Sequence, residues 1–407
     1  MTTGSLTTHG QALGRAAGAL YGLAIGDALG MPTESLPREQ ITASYGPLLT
    51  GFEPAPPGHP LAAGMPAGAV TDDTEQAVLL AKLIIEGAGQ VDAAELARRL
   101  IGWEESMRAR GSLGLLGPST KWAISALLAG ADIDQAGRSG VTNGAAMRIA
   151  PVGIATPSAD LDGLVDRVVE ASRATHNTGV ALAGAAAVAA AVSAGLDGAE
   201  VPDAIGLAVT AARRAARRGH WVAAADVAAR ITWATGLTAE LAGRPGEPDA
   251  GAVIDVVYTL VGTSLAVQES VPAAFAVLAA SPDNPWLACR IAASLGGDCD
   301  TIAAMAGAIA GACHGLAGFP ESARATVASV NDLRLDDLAA ALLRIRTSAA
   351  PGSRAAPGSR AASGLSGAPG SRAGPGSSAP GFGGGSGTGA ASGPVSRSGT
   401  PAGRKTP

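Results

Sequence analysis

Two acidic clusters bring together residues suited to metal binding or acid–base work. They are Thr71-Asp72-Asp73-Thr74 and Asp298-Cys299-Asp300-Thr301, the second following Gly296-Gly297. Each stands just ahead of an Ala-rich segment of helical periodicity, so each puts two carboxylates and a hydroxyl at a helix start. Four carboxylates gathered in one place repel strongly unless a cation lies between them. An all-oxygen donor set suits hard ions such as Mg²⁺, Mn²⁺ or Ca²⁺ rather than zinc. Helix capping is the simpler account of either cluster alone. Asp and Thr are good N-caps, Asp72 and Glu75 have capping-box spacing, and first-turn acids complement the helix dipole. Capping needs one such residue, not three. The repetition of the cluster is what favours a metal.

The elements that must position these acids read as helices. Helical periodicity runs from Gln11 to about Arg346, with segments over 11–29, 73–87, 119–129, 178–195, 221–241 and 301–316 among others. Alternating strand patterns are absent, and one Pro/Gly-rich irregular stretch, Pro32 to Val70, is long enough to be functional. The fold class is therefore all-α, a compact orthogonal helical domain over 11–347. Gly14, Gly18, Gly22, Gly26 and Gly30 fall four apart, as do Gly307, Gly311 and Gly315. Each costs its helix about 1 kcal/mol relative to Ala, and a ridge of them lets a neighbouring backbone approach closely. Both ridged helices belong at the centre of the domain.

Composition narrows the function classes. Only 3% of the 407 residues are aromatic, so the core must be built from small side chains at close range. A net charge of −5 offers no basic surface for nucleic acid. Three cysteines without ligand spacing point to a reducing, cytoplasmic setting. The first ten residues lack the features of a signal peptide. Val180 to Leu196 is uncharged but mostly alanine, and reads as a buried helix rather than a membrane span. From 348 to 407 the chain is Gly, Pro, Ser, Ala and Arg, with Pro-Gly-Ser-Arg recurring at 351, 357 and 369. Such a segment buries too little apolar surface to order itself, so a disordered tail is expected.

Four motifs in order, GLAIGDALGMPTE (22–34), TDDT (71–74), TNGAAMR (142–148) and GGDCDT (296–301), resemble the ADP-ribosylglycohydrolase family. This family includes dinitrogenase reductase-activating glycohydrolase and the ADP-ribosyl-acceptor hydrolases. The resemblance implies an all-helical fold with a binuclear centre of two Mg²⁺, for which Mn²⁺ substitutes in some members. The metal ligands it implies are Thr71, Asp72, Asp73, Asp298, Asp300 and Thr301, with Glu34 beside them. The implied reaction is hydrolysis of the glycosidic bond joining ADP-ribose to a protein side chain, with arginine the favoured linkage. Glu34 or Asp73 would serve as the general base, and Glu34, on a Gly/Pro-flanked turn, would alternatively act as a gate.

Gly140, Thr142, Asn143 and Gly144 form a turn-prone stretch that the resemblance places against the ADP-ribose, with His176 near it. Arg148 reads equally as a phosphate ligand or as a structural ion-pair partner. Gly262-Thr263-Ser264 is a further ligand-side stretch, and His314 reads as a packed or partly exposed residue. Cys299 stands where the family usually has Thr or Ser, which matters only if its side chain faces the metals. The partners implied are an ADP-ribosylated protein or small molecule, with no nucleic acid and no membrane, and the expected state is a monomer. Two other readings stay open. One is a non-catalytic ADP-ribose-binding or crystallin-like member; the other is a same-fold hydrolase of a small ADP-ribosyl or guanidino compound.

Overall fold

Glycines at every fourth position decide how the centre of the molecule packs. The structure, a computed structural model, describes residues 3–111, 116–241 and 249–349. In chain order the first helices are α1 (Thr3–Gly30), α2 (Arg38–Tyr45), α3 (Asp72–Glu86), α4 (Ala93–Ala109), α5 (Pro118–Leu128) and α6 (Ile133–Ala136). There follow α7 (Gly144–Met147), α8 (Ala150–Ala155), α9 (Leu161–Ser172), α10 (Gly179–Leu196), α11 (Val201–Ala215) and α12 (Val227–Ala239). The last are α13 (Ala250–Val256), α14 (Val267–Ala280), α15 (Pro285–Ala293), α16 (Cys299–His314), α17 (Glu321–Val330) and α18 (Leu335–Ala349). A π-helical turn, Val257–Val261, extends α13. Among the described residues the only β pairing is two isolated bridges, Thr142 with Ala266 and Thr178 with His220. The all-α class read from the sequence is the class observed.

α1 and α16 meet backbone to backbone. A Cβ at Gly18 would overlap the carbonyl of Gly311, one at Gly22 that of Gly307, and one at Gly26 that of Ala303. At the end of the same ridge, a Cβ on Gly30 would strike the backbone of Asp300. The ridge thus carries the C-terminus of α1 onto the N-terminus of α16. Gly14 faces open space, so the close approach begins at Gly18. α10 lies within the same core, with every residue buried. It is long and apolar enough to cross a membrane, but neighbouring helices cover its surface.

Three local expectations need correction. The stretch from Pro32 to Val70 is not wholly irregular, for it contains α2 between Pro37 and Gly46. That helix is eight residues long and buries only Ile41, too little periodicity to read from sequence. The segment expected over 221–241 becomes helical only at Val227, where the Asp226 side chain accepts from the Ala229 amide. α16 begins at Cys299 rather than Thr301, which puts Asp300 and Thr301 in its first turn. The tail expected from 348 onward lies, beyond Ala349, outside the described residues.

Candidate active site

Three chain segments distant in sequence are pinned together by backbone contacts before any side chain is considered. After α1 the chain turns through Met31–Ser35, with the Glu34 amide donating to the Gly30 carbonyl at 2.9 Å. Ser35, at φ 58°, donates its amide to the Gly297 carbonyl at 2.7 Å, and the Gly297 amide returns a bond to Leu36 at 3.2 Å. Gly296 and Gly297 have φ of 87° and 69°, a left-handed pair that residues with a Cβ adopt only under strain. The Asp298 amide then donates to the Thr263 carbonyl at 2.7 Å. The turn carrying Glu34 is therefore tied to the loop carrying Asp298.

The start of α3 is held from α1. Asp27, fully buried, accepts from the Thr71 and Thr74 amides at 3.0 Å and from the Thr74 hydroxyl. Sequence reasoning did not assign Asp27 a role. A signal was present: it is the only charged residue between Arg15 and Glu34, on a helix otherwise apolar over that span. The Asp72–Glu75 capping box does not form. Thr71 is the N-cap, and Glu75 turns outward to the indole of Trp103.

The two acidic clusters converge. Asp73 Oδ2 accepts from the hydroxyls of Thr71 and Thr301, both at 3.3 Å, which joins the starts of α3 and α16. Glu34, Asp298 and Asp300 each offer a carboxylate oxygen within 4.8 Å of the others. Asp72 accepts from Gln76 Nε2 at 2.8 Å, and Asp298 accepts from Asn143 Nδ2, which also donates to Ser270 at 3.0 Å. Asp73 Oδ1 and Asp300 Oδ1 are buried with no hydrogen-bond partner among the described residues. An unsatisfied buried carboxylate oxygen is costly; here two occur in one cluster.

Electrostatics point the same way. Burial, then the charges of Asp298, Asp72 and Asp27, raise the Glu34 pKa to about 8. Burial, then Asp27 and Asp298, raise Asp72 to about 7. Asp298 is raised to about 6 by burial, against the opposing hydrogen bonds of Asn143 and Thr301. Asp73 and Asp300 lie well above the ordinary carboxylate range, again through burial first and neighbouring acids second. A cation among these oxygens would remove the repulsion and occupy the two unpartnered atoms. The donor set is all oxygen and fits a hard divalent ion.

All the expected metal ligands line one cavity of about 540 Å³, together with Glu34, Thr142, Asn143 and Gly144. Ser264, from the other ligand-side stretch, lines it as well. Gly140 and His176 do not. His176 is fully buried behind the loop, with Nε2 at 3.0 Å from the Thr142 hydroxyl and Nδ1 at 2.8 Å from that of Thr175. Burial, then the Arg148 charge, lowers its pKa well below the ordinary histidine value. A Cβ at Gly140 would overlap the Thr175 carbonyl, so that glycine lets the loop sit close over the His176 segment.

Arg148 is also fully buried and meets neutral partners: the Gly144 carbonyl at 2.8 Å, Thr175 Oγ1 at 2.7 Å and Gln76 Oε1 at 3.3 Å. Through Gln76 it links the 142–148 loop to Asp72. Cys299 turns away from the cavity, its Sγ 3.2 Å from Thr33 Oγ1, and burial raises its thiol to about 12. His314 bonds the Pro282 carbonyl at 2.7 Å on the exposed end of α16.

The ADP-ribosylglycohydrolase family pattern matches residues 8–351. The chain belongs to that family. The sequence is 35% identical over 332 residues to the uncharacterized protein YegU of Escherichia coli (strain K12), covering 82% of this chain and 97% of that one. It is 30% identical over 322 residues to the ADP-ribosylarginine hydrolase Tri1 of Pseudomonas putida (strain GB-1), covering 77% and 74%. Among solved structures, a chain described as an ADP-ribosylglycohydrolase-related protein complex superposes with a TM-score of 0.60 at 26% identity. It covers 82% of this chain and 99% of its own. Family membership places the protein among hydrolases, and the carboxylate cluster is where a metal of this family can be held.

Proposed function

We propose that this protein is a Mg²⁺-dependent hydrolase of the bond between ADP-ribose and an arginine side chain, with Mn²⁺ able to replace Mg²⁺. The observation that carries the reading is the pair of unpartnered buried oxygens, Asp73 Oδ1 and Asp300 Oδ1, in a cavity ringed by acids of raised pKa. Mutually repelling acids kept in this arrangement have a use if cations bind them and little otherwise. The choice of arginine follows the activity in the name of the Pseudomonas relative.

Thr71, Asp72, Asp73, Asp298, Asp300 and Thr301 would hold the ions, which when bound would orient ribose hydroxyls and acidify a water. The chain's own side chains supply the rest. Asn143 fixes the Asp298 carboxylate, and the threonine hydroxyls fix that of Asp73. Glu34 lines the cavity and acts as the general base, taking a proton from the water that attacks the anomeric carbon. The C–N bond breaks, and the leaving guanidine nitrogen takes up the proton that Glu34 removed from the water, which restores the Glu34 carboxylate. Neighbouring carboxylates stabilise the oxocarbenium character that develops at the sugar. The loop of Thr142–Gly144 borders the cavity and supplies polar groups for the sugar.

The test is release of ADP-ribose from arginine-linked and serine-linked substrates with Mg²⁺, Mn²⁺ or EDTA. Release from the arginine substrate, abolished by EDTA, is the expected outcome. Release from neither substrate with either ion overturns the reading. Release from the serine substrate alone replaces the linkage.

A further inference from the structure

Arg148 stands at the middle of a buried hydrogen-bond chain whose two ends both reach the acidic cavity. On one side its Nη1 donates to Gln76 Oε1 at 3.3 Å, and Gln76 Nε2 donates to Asp72 Oδ2 at 2.8 Å. On the other its Nη2 donates to Thr175 Oγ1 at 2.7 Å, which meets His176 Nδ1 at 2.8 Å. His176 Nε2 then meets Thr142 Oγ1 at 3.0 Å. Gln76, Arg148, Thr175 and His176 are buried, while Asp72 and Thr142 line the cavity.

The direction of every link follows from the chemistry of one side chain. A guanidinium has N–H donors and no acceptor. The atom of Gln76 that faces it is therefore the carbonyl oxygen, and this turns the amide N–H toward Asp72. A flipped amide would set its oxygen against the Asp72 carboxylate and its NH₂ against the guanidinium. On the other arm, Thr175 Oγ1 accepts from Arg148 and has its own proton to give. His176 Nδ1 is the nearer acceptor, since the Ser172 carbonyl lies at 3.5 Å. The imidazole proton then sits on Nε2 and goes to Thr142 Oγ1, whose own proton is left for the cavity. With a residue that both donates and accepts in place of Arg148, each link would be free to reverse. This use accounts for a buried guanidinium bonded only to neutral groups, an arrangement costly by itself.

We propose that Arg148 is a positioning residue that sets the direction of this chain, so that Gln76 holds the Asp72 carboxylate with an N–H and Thr142 presents a hydroxyl proton to the cavity. Groups that orient a carboxylate ligand change metal affinity about 10- to 100-fold when they are removed. Through Asp72 the proposal rests on the metal-dependent reading above; the proton on His176 does not depend on it.

Two measurements test it. The first is nitrogen NMR of the metal-free wild-type chain, with the His176 signals assigned by their loss in His176→Gln. The expected signature is a proton on Nε2 and a bare Nδ1. A ring protonated on Nδ1 overturns the proposal whether or not the protein binds a metal. The second is calorimetric binding of Mg²⁺, with melting in EDTA measured alongside. Gln76→Met cuts the link to Asp72, and Arg148→Lys keeps the charge but loses the planar fork that spans Gln76 and Thr175. Each should weaken Mg²⁺ binding about tenfold, and the double variant should bind about as weakly as either single one, because the two side chains act in one chain. Unchanged Mg²⁺ affinity in Gln76→Met, with or without a fall in Tm, overturns the proposal, and so do additive losses in the double variant. Should Arg148→Lys fail to fold, Gln76→Met alone decides the affinity. If the wild type binds neither Mg²⁺ nor Mn²⁺, the metal-dependent reading falls, and the position of the His176 proton decides the proposal by itself.

Discussion

The starts of α3 and α16 carry nearly the same residues and are held in opposite ways. At α3 the N-cap is local: the Thr71 hydroxyl accepts from the Asp73 amide at 3.4 Å, and Asp27 reaches over from α1 to take the Thr71 and Thr74 amides. At α16 the N-cap residue is Asp298, and its side chain caps nothing. Its carboxylate is turned to Asn143 and the cavity. What fixes it is the left-handed Gly296–Gly297 pair and the backbone bonds to Ser35, Leu36 and Thr263. One acidic helix start serves its helix and the site together. The other is given to the site, with its geometry set by distant segments. Identical residue types at helix starts thus do not have identical work; the destination of the carboxylate separates the two roles.

The sharpest way to break this comparison is to remove the acid that serves only the site. Asp300→Ala should reduce turnover roughly a thousandfold or more, as expected for a group that acts as part of one catalytic unit. It should also raise metal-free thermal stability, because Asp300 is a buried acid repelled by Glu34, Asp73 and Asp298. Activity assays and melting with and without Mg²⁺ check both parts, and a fall in metal-free Tm would show that Asp300 stabilises α16 after all. Gly297→Ala comes next. A Cβ there would strike the Thr263 carbonyl at a φ of 69°, so a loss of about 2–3 kcal/mol in urea unfolding is expected, with weakened Mg²⁺ binding.

Metal and pH act on the start of α3 and on the Glu34 turn together. Folded-state pKa values of about 8 for Glu34 and about 7 for Asp72 lie above those of free carboxyls. Their contribution to metal-free stability is full below about pH 4, the free-carboxyl range, and is lost as pH rises through 7 to 8. Melting temperature in EDTA should therefore fall between about pH 4 and 8, and Mg²⁺ should reduce that fall. A pH-independent Tm in EDTA would mean the acids are not mutually destabilised.

The sequence made the helical class and the acidic pair readable because both rest on local pattern: Ala-rich periodicity and Asp/Asp/Thr clusters at helix starts. The glycine ridges of α1 and α16 were readable as close-packing surfaces, but not as partners, since spacing says nothing about which helix fills a groove. Asp27 stands out as the only charged residue between Arg15 and Glu34, but nothing local shows that its carboxylate reaches the amides of another helix. The bond between Ser35 and Gly297 joins segments far apart in the chain, and backbone pairing of that kind leaves no mark in composition. His176 shows the reverse difficulty. The resemblance placed it near the ligand, yet whether it faces the cavity or backs the Thr142 loop depends on packing around Thr175 and Arg148.

The smallest expected effect falls on the capped start. Thr71→Ala removes a hydroxyl that accepts from the Asp73 amide and donates to the Asp73 carboxylate. Loss of a threonine N-cap costs about 1 kcal/mol, and Asp27 still holds the Thr71 and Thr74 amides, so unfolding in EDTA should shift by about that much or less. Thr71→Ser should recover it. Mg²⁺ affinity should fall further than stability does, since Asp73 Oδ2 loses one of the two hydroxyls that orient it and keeps only that of Thr301. If instead stability falls by several kcal/mol and Mg²⁺ affinity is unchanged, the α3 start is a structural cap alone, and the contrast with α16 becomes complete.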